Sequence, residues 1–141
     1  MLEIEPDSPS GHFCLVSAFV YKGQYPEAVE TIRQQMRKSG TKEEVIKSHT
    51  SGDAREVILA GHREYVNGMQ KALAKKRRIS ATYLASVYAD LGENDRALVW
   101  LEKAFLAREP MFIFFKIHPA YGNLHADPRF ADLARRANLT R

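Results

Sequence analysis

The chain has one cysteine, Cys14, so it cannot close an intrachain disulfide. That leaves the compartment unconstrained, with a lean toward the cytoplasm. Long apolar runs are missing too. None, Met111 to Phe115 included, exceeds five residues, against the ~20 that a spanning helix needs, so no membrane partner is expected. The opening MLEIEPDSPS has neither the basic region nor the apolar core of a secretory signal. Chemistry-bearing patterns are equally scarce. The histidines His12, His49, His62, His118 and His125 are never spaced i, i+4, and none falls in a zinc pattern. Ser8, Ser10 and Ser17 are not in a nucleophile elbow, and there is no phosphate loop. Cys14, between Phe13 and Leu15, reads as a packed thiol. Glu43, Glu44 and the acids from Asp90 to Glu93 read as caps and solvated faces. The expectation is no catalytic residue, no metal and no cofactor, and the chain is not read as an enzyme.

What is present is an ordinary globular composition. With 45% hydrophobic and 27% charged residues in 141, the chain can build one domain with a core. A net charge of +4 is compatible with nucleic acid without pointing to it. The most informative stretch is Ser80 to Pro110. Apolar residues recur at Ala81, Leu84, Ala85, Tyr88 and Leu91, then at Ala97, Leu98, Leu101, Ala104 and Phe105. This spacing predicts two helices, each with one buried face. Ser80 suits the N-cap of the first helix and Gly92 the left-handed residue that ends it. Asn94 suits the cap of the second, with Asp95 in its first turn.

Leu84, Ala85, Tyr88, Gly92, Ala97, Leu101 and Ala104, with Pro110 beyond, resemble a tetratricopeptide repeat, a helix-turn-helix unit of about 34 residues. Small residues let the paired helices approach, Tyr88 fills the gap to the next helix, and Gly92 turns the chain. One such unit cannot bury its apolar face alone, so neighbours are expected.

Residues 10–40 repeat the pattern. A helix is predicted from about Gly11 to Lys22, Gly23 turns the chain, and Tyr25, Ala28, Val29, Ile32 and Met36 mark a second helix ending near Gly40. Ser10 suits the first N-cap. Phe19, Gly23 and Ala28 stand where Tyr88, Gly92 and Ala97 stand. Gly23 and Gly92 are 69 residues apart, so one further unit fits at 41–78. It should open at the capping-box pattern Thr41–Glu44, break at Ser51–Asp53 and turn at Gly61. Residues 1–9 resemble the end of a preceding repeat, which makes the chain read as a fragment of a longer protein. Residues 111–141 form a C-terminal cap. There His118-Pro119 and Asp127-Pro128 open two similar segments nine residues apart, and Asp127 should cap a helix over 128–137. This ending resembles the repeat tails of bacterial multidomain signalling and regulatory proteins.

The resemblance implies an all-α, right-handed superhelix of about three helix pairs with a helical cap. It implies a protein-interaction module that binds a peptide or protein in its concave groove. First helices face that groove, which makes Phe13, Ser17, Val20 and Tyr21, then Thr82, Ser86, Ala89 and Asp90, its candidate lining. The family's carboxylate clamp needs Lys and Asn where Phe13 and Ser17 stand. The alternative is an accessory domain that binds an anionic partner or nucleic acid through Lys71, Lys75, Lys76, Arg77 and Arg78. The bland reading of that run is a solvated helix end, and it lacks the interleaved aromatics of a nucleic-acid platform. Met111, Phe112, Phe114 and Phe115 either seal the open end of the stack or dock a partner. An uncovered apolar face on the 10–22 helix predicts self-association through residues 1–22.

Overall fold

A computed structural model describes the backbone of residues 9–138 and the side chains of 15–138. The expected end of a preceding repeat, through residue 8, and the side chains of His12, Phe13 and Cys14 lie outside the described residues. All regular structure among the described residues is helical: α1 (Pro9–Tyr21), α2 (Tyr25–Lys38), α3 (Glu43–Thr50), α4 (Ala54–Ala74), α5 (Ala81–Asp90), α6 (Asn94–Leu106), 3₁₀ helices at Pro110–Phe114 and Pro119–Leu124, and α7 (Pro128–Arg136). The chain resolves into two compact units, one ending at Gly61 and the other beginning at His62.

In the first unit α1 and α2 form a hairpin. Its turn is set by Gly23, whose φ of +72° only glycine adopts without cost. The N–H of Gln24 then reaches back to the Phe19 carbonyl at 2.9 Å, closing the helix end. Ala28, with no exposed surface, sits with Val29, Val57 and Ile58, and Val16, Phe19, Val20, Tyr25 and Ile32 pack against them. Val16, Phe19 and Val20, expected to lack cover, thus have part of it within their own unit. α1 already includes Ser10, which is inside the helix rather than its cap.

Two expectations for residues 41–78 are corrected. A helix does begin at Glu43, but Thr41 forms no capping box. Lys42 precedes the helix with no side-chain cap, and Glu43 instead accepts from Arg37 Nη2 at 3.0 Å. Gly61 does not turn the chain; it lies within α4, whose 21 residues run through it and through Gly68. The break falls at Ser51–Asp53. Asp53 Oδ1 accepts from the N–H groups of Arg55 and Glu56 at 3.0 and 3.2 Å, which starts α4 firmly. A single mid-helix glycine costs only about 1 kcal/mol, less than burial of Val57, Ile58 and Val66 along the same helix returns.

In the second unit α5 is buried without interruption from Leu84 to Ala89. It packs on α6 and on the second 3₁₀ helix, and α6 packs on α7. The last part of α4 reaches α5 through Tyr65, edge-on to Tyr83 at 4.7 Å, and through Gln70, which donates to the Tyr88 hydroxyl at 3.2 Å. Ala97 and Ala104 have no exposed surface on the α6 face. Asn94 is not the cap of α6. It is the first helical residue, Glu93 precedes it without capping the helix through its side chain, and Asn94 Oδ1 is buried with no hydrogen-bond partner among the described residues.

Candidate functional site

The N-terminus of α5 is closed by two side chains. Ser80 Oγ accepts from the Tyr83 N–H at 3.2 Å, as its position predicts. The other is Glu109, at the far end of the helix pair. Its Oε1 accepts from the Ala81 N–H at 2.8 Å, and its Oε2 accepts from the Thr82 N–H at 2.9 Å and the Thr82 hydroxyl at 2.7 Å. Ser80 Oγ donates to the same Oε2 at 3.2 Å. Burial disfavours the Glu109 charge, but these donors outweigh it and hold the carboxyl below the usual carboxylate range. Sequence reading missed Glu109. The one available signal was an acid directly before Pro110, too common to single out.

This clamp sets up the end of the chain. Pro110 begins a 3₁₀ helix in which side chains three apart eclipse. Phe112 and Phe115 therefore share one row. They stack at 4.6 Å, both buried, and Phe115 continues to Phe130 of α7 at 5.0 Å. Met111, Ile113 and Phe114 stay exposed. The apolar run is divided: Phe112 and Phe115 seal the unit and the other three residues face outward.

The second 3₁₀ helix carries Tyr121, whose hydroxyl donates to the Thr82 carbonyl at 3.1 Å. Burial, with the nearby charges of Asp90 and Glu109, pushes that hydroxyl pKa well up. His118 Nδ1 accepts from the Ala120 N–H at 3.3 Å, so it caps this segment. Asp127 caps α7: its Oδ1 accepts from the Arg129 N–H at 2.8 Å. Phe130, Leu133 and Ala134 of α7 point inward, as their spacing predicts.

The candidate groove residues separate accordingly. Ser17, Val20 and Tyr21 are half-buried on α1 of the first unit, and Phe13 lies outside the described side chains. On α5, Ser86 and Ala89 are buried. Thr82 is engaged by Glu109 and Tyr121, and Asp90 lies close enough to Tyr121 to act on its pKa. The α5 face expected to line a groove is thus covered by the C-terminal cap. All five residues of the basic cluster, Lys71, Lys75, Lys76, Arg77 and Arg78, are exposed. Lys76 takes the left-handed φ of +54° that ends α4.

An open cleft lies instead between α6 and α7. It has a volume of about 640 Å³, with Leu98, Val99 and Leu133 among its lining. Two ion pairs bound it. Arg129 Nη2 donates to Asp95 Oδ1 at 2.7 Å, and Arg136 Nη1 donates to Glu102 Oε1 at 2.7 Å. Bonding to Arg136 holds the Glu102 carboxyl low. Each pair spans 34 residues. From Asp95 to Glu102 and from Arg129 to Arg136 the pairs advance in the same direction, so α6 and α7 run parallel. Both pairs are substantially exposed, which makes them register markers more than sources of stability. Among the described residues, no three His, Cys, Asp or Glu side chains come together to hold a metal ion, and no helix is long and apolar enough to cross a membrane.

Comparison with protein-family models, with curated proteins and with solved structures returned no match.

Proposed function

We propose that the chain is a protein-interaction module of tetratricopeptide type, binding a peptide or protein partner, and that it serves as the scaffolding part of a larger assembly. The observation that carries this reading is the 34-residue register of α6 and α7. Asp95 with Arg129 and Glu102 with Arg136 relate two parallel helices by one repeat period. The second 3₁₀ helix, Pro119–Leu124, likewise stands 34 residues after Ala85–Asp90 of the helix it packs on. The cap therefore reads as a further unit whose first helix is reduced to a 3₁₀ segment. The matched hairpins at Gly23 with Ala28 and Gly92 with Ala97 support the same repeat. Repeats of this kind stack into superhelices that bind partners along their surface.

In the second unit the α6–α7 cleft is the site that favours a partner. An extended peptide would seat an apolar side chain on Leu98, Val99 and Leu133, and its polar groups would meet the charged rims. Val99 is exposed, so Val99→Glu should leave the fold intact and abolish binding of peptides selected on the whole chain from a displayed library. Selection of no peptide, or of peptides indifferent to Val99→Glu, overturns this site.

A second reading rests on the basic cluster. No described carboxylate pairs with any of its five cations, whereas Arg33, Arg37, Arg96, Arg129, Arg135 and Arg136 are all in ion pairs. That leaves the run available to an anionic partner. Affinity for a nucleic acid would fall steeply with salt, while apolar peptide binding would not.

A further inference from the structure

The exposed part of the apolar run and the basic cluster are brought to one region by the Glu109 clamp. Glu109 bonds Ser80, Ala81 and Thr82 directly. Arg78 is two residues before Ser80, and Met111 is two residues after Glu109. Each residue advances the chain by at most ~3.8 Å and the Glu109 side chain with its hydrogen bond adds about 10 Å, so Arg78 and Met111 lie within roughly 25 Å of one another. Both belong to the second unit.

The apolar part has a definite form. Three residues per turn put Met111 and Phe114 in one row, and the turn continues to Ile117, whose N–H reaches the Phe114 carbonyl at 3.1 Å. These three side chains are 60%, 45% and 78% exposed, and Leu106 and Ile113 beside them are 70% and 59% exposed. Single exposed apolar residues are ordinary, but five within twelve residues are not. Such exposure describes a projecting row rather than a groove that would receive a helix.

The charged part is diffuse. Lys71, Lys75, Lys76, Arg77 and Arg78 have no carboxylate partner among the described residues, and Arg77 and Arg78 lie on non-helical chain. The acid nearest the row in sequence, Glu109, is spent on the α5 N-terminus and does not offset them. Three of the five are lysines, compact point charges that suit a smeared negative field, and the two arginines match phosphate oxygens. A projecting apolar row beside such cations is the arrangement that lies on a charged lipid surface without crossing it.

We propose that Met111, Phe114 and Ile117, together with the basic run from Lys71 to Arg78, form a surface that rests on an anionic phospholipid bilayer. The row enters the headgroup layer and the cations face acidic lipid. This surface is distinct from the α6–α7 cleft and does not depend on the peptide reading.

The test is sedimentation of the full chain with vesicles of phosphatidylcholine alone and of phosphatidylcholine with one third phosphatidylserine, at low and high salt. The wild type should bind the anionic vesicles, weakly at high salt, and not the neutral ones. A basic residue near an acidic surface is worth roughly fivefold in affinity, so Lys75→Glu/Arg77→Glu/Arg78→Glu should weaken binding by about a hundredfold or more. Met111→Ser/Phe114→Ser/Ile117→Ser should also lose it, with helicity unchanged because all three side chains are exposed. No binding to anionic vesicles overturns the proposal, as does equal binding to both vesicles. Binding indifferent to the serine variant overturns the joint surface. Self-association abolished by Phe114→Ser, without vesicle binding, would assign the row to a second copy of the chain.

Discussion

Glu109 and Thr82 are 27 residues apart in sequence, yet Glu109 Oε2 accepts both the N–H and the hydroxyl of Thr82, at 2.9 and 2.7 Å. The first N–H groups of a helix have no partner within it. Here Glu109 supplies Ala81 and Thr82 and Ser80 supplies Tyr83, so the start of α5 is fully satisfied. Charged hydrogen bonds are worth about 1.5–3 kcal/mol, and Glu109→Ala should destabilise by about 2–3 kcal/mol in urea unfolding. The pH dependence has a fixed sign. The folded carboxyl titrates below its unfolded value, so its contribution is complete above the unfolded pKa and is lost as pH falls through the folded one. Glu109→Gln should flatten the loss of stability that sets in below about pH 4.3. An unchanged acid limb would show that the clamp is not formed in solution.

Ala97 has no exposed surface where α5 and α6 pack. Ala97→Leu should overpack that contact and cost about 1–3 kcal/mol. An unaltered urea midpoint would contradict the close approach of the two helices.

Asp127 caps α7 through the Arg129 N–H, and the Arg129 side chain bridges Asp127 to Asp95. Asp127→Ala should cost about 0.5–2 kcal/mol. Hydrogen exchange should quicken first at the start of α7. Exchange that quickens uniformly along the chain would argue that the cap has no local role.

Two helix ends carry the same backbone turn on different residues. Gly92 and Arg108 have φ of +76° and +52°, and in each case the next N–H reaches back five residues, Glu93 to Tyr88 and Glu109 to Ala104. Arg108→Gly should therefore stabilise by about 0.5–1 kcal/mol, since a side chain is strained in this region. A Cβ at Gly92 would meet nothing within 4 Å, so Gly92→Ala should cost about 1 kcal/mol through the backbone alone. Matching signs for the two substitutions would refute this account.

Local signals were legible where one residue decides the backbone. Gly23, Gly40 and Gly92 end helices, Ser80 and Asp127 cap them, and the spacing of Phe130, Leu133 and Ala134 marks a buried face. Gly61 misled because tertiary burial on either side of it outweighs a single propensity. Asn94 misled because the helix began one residue earlier than its side chain suggested. The candidate site was least legible. Thr82, Ser86 and Ala89 have the pattern of an open first-helix face. They are covered by a 3₁₀ segment at 119–124, and its docking depends on Tyr121 meeting Thr82 across 39 residues. The α6–α7 cleft depends on ion pairs 34 residues apart, which no local pattern reveals.

We propose above that the chain is a repeat-built interaction module that takes a peptide through an apolar contact. Calorimetric titration of a library-selected peptide into the wild type at low and high salt tests it most directly. The affinity should be nearly constant with salt, lost in Val99→Glu and retained in Lys75→Glu/Arg77→Glu/Arg78→Glu. Affinity that falls steeply with salt, is lost in the triple charge variant and survives Val99→Glu would contradict it.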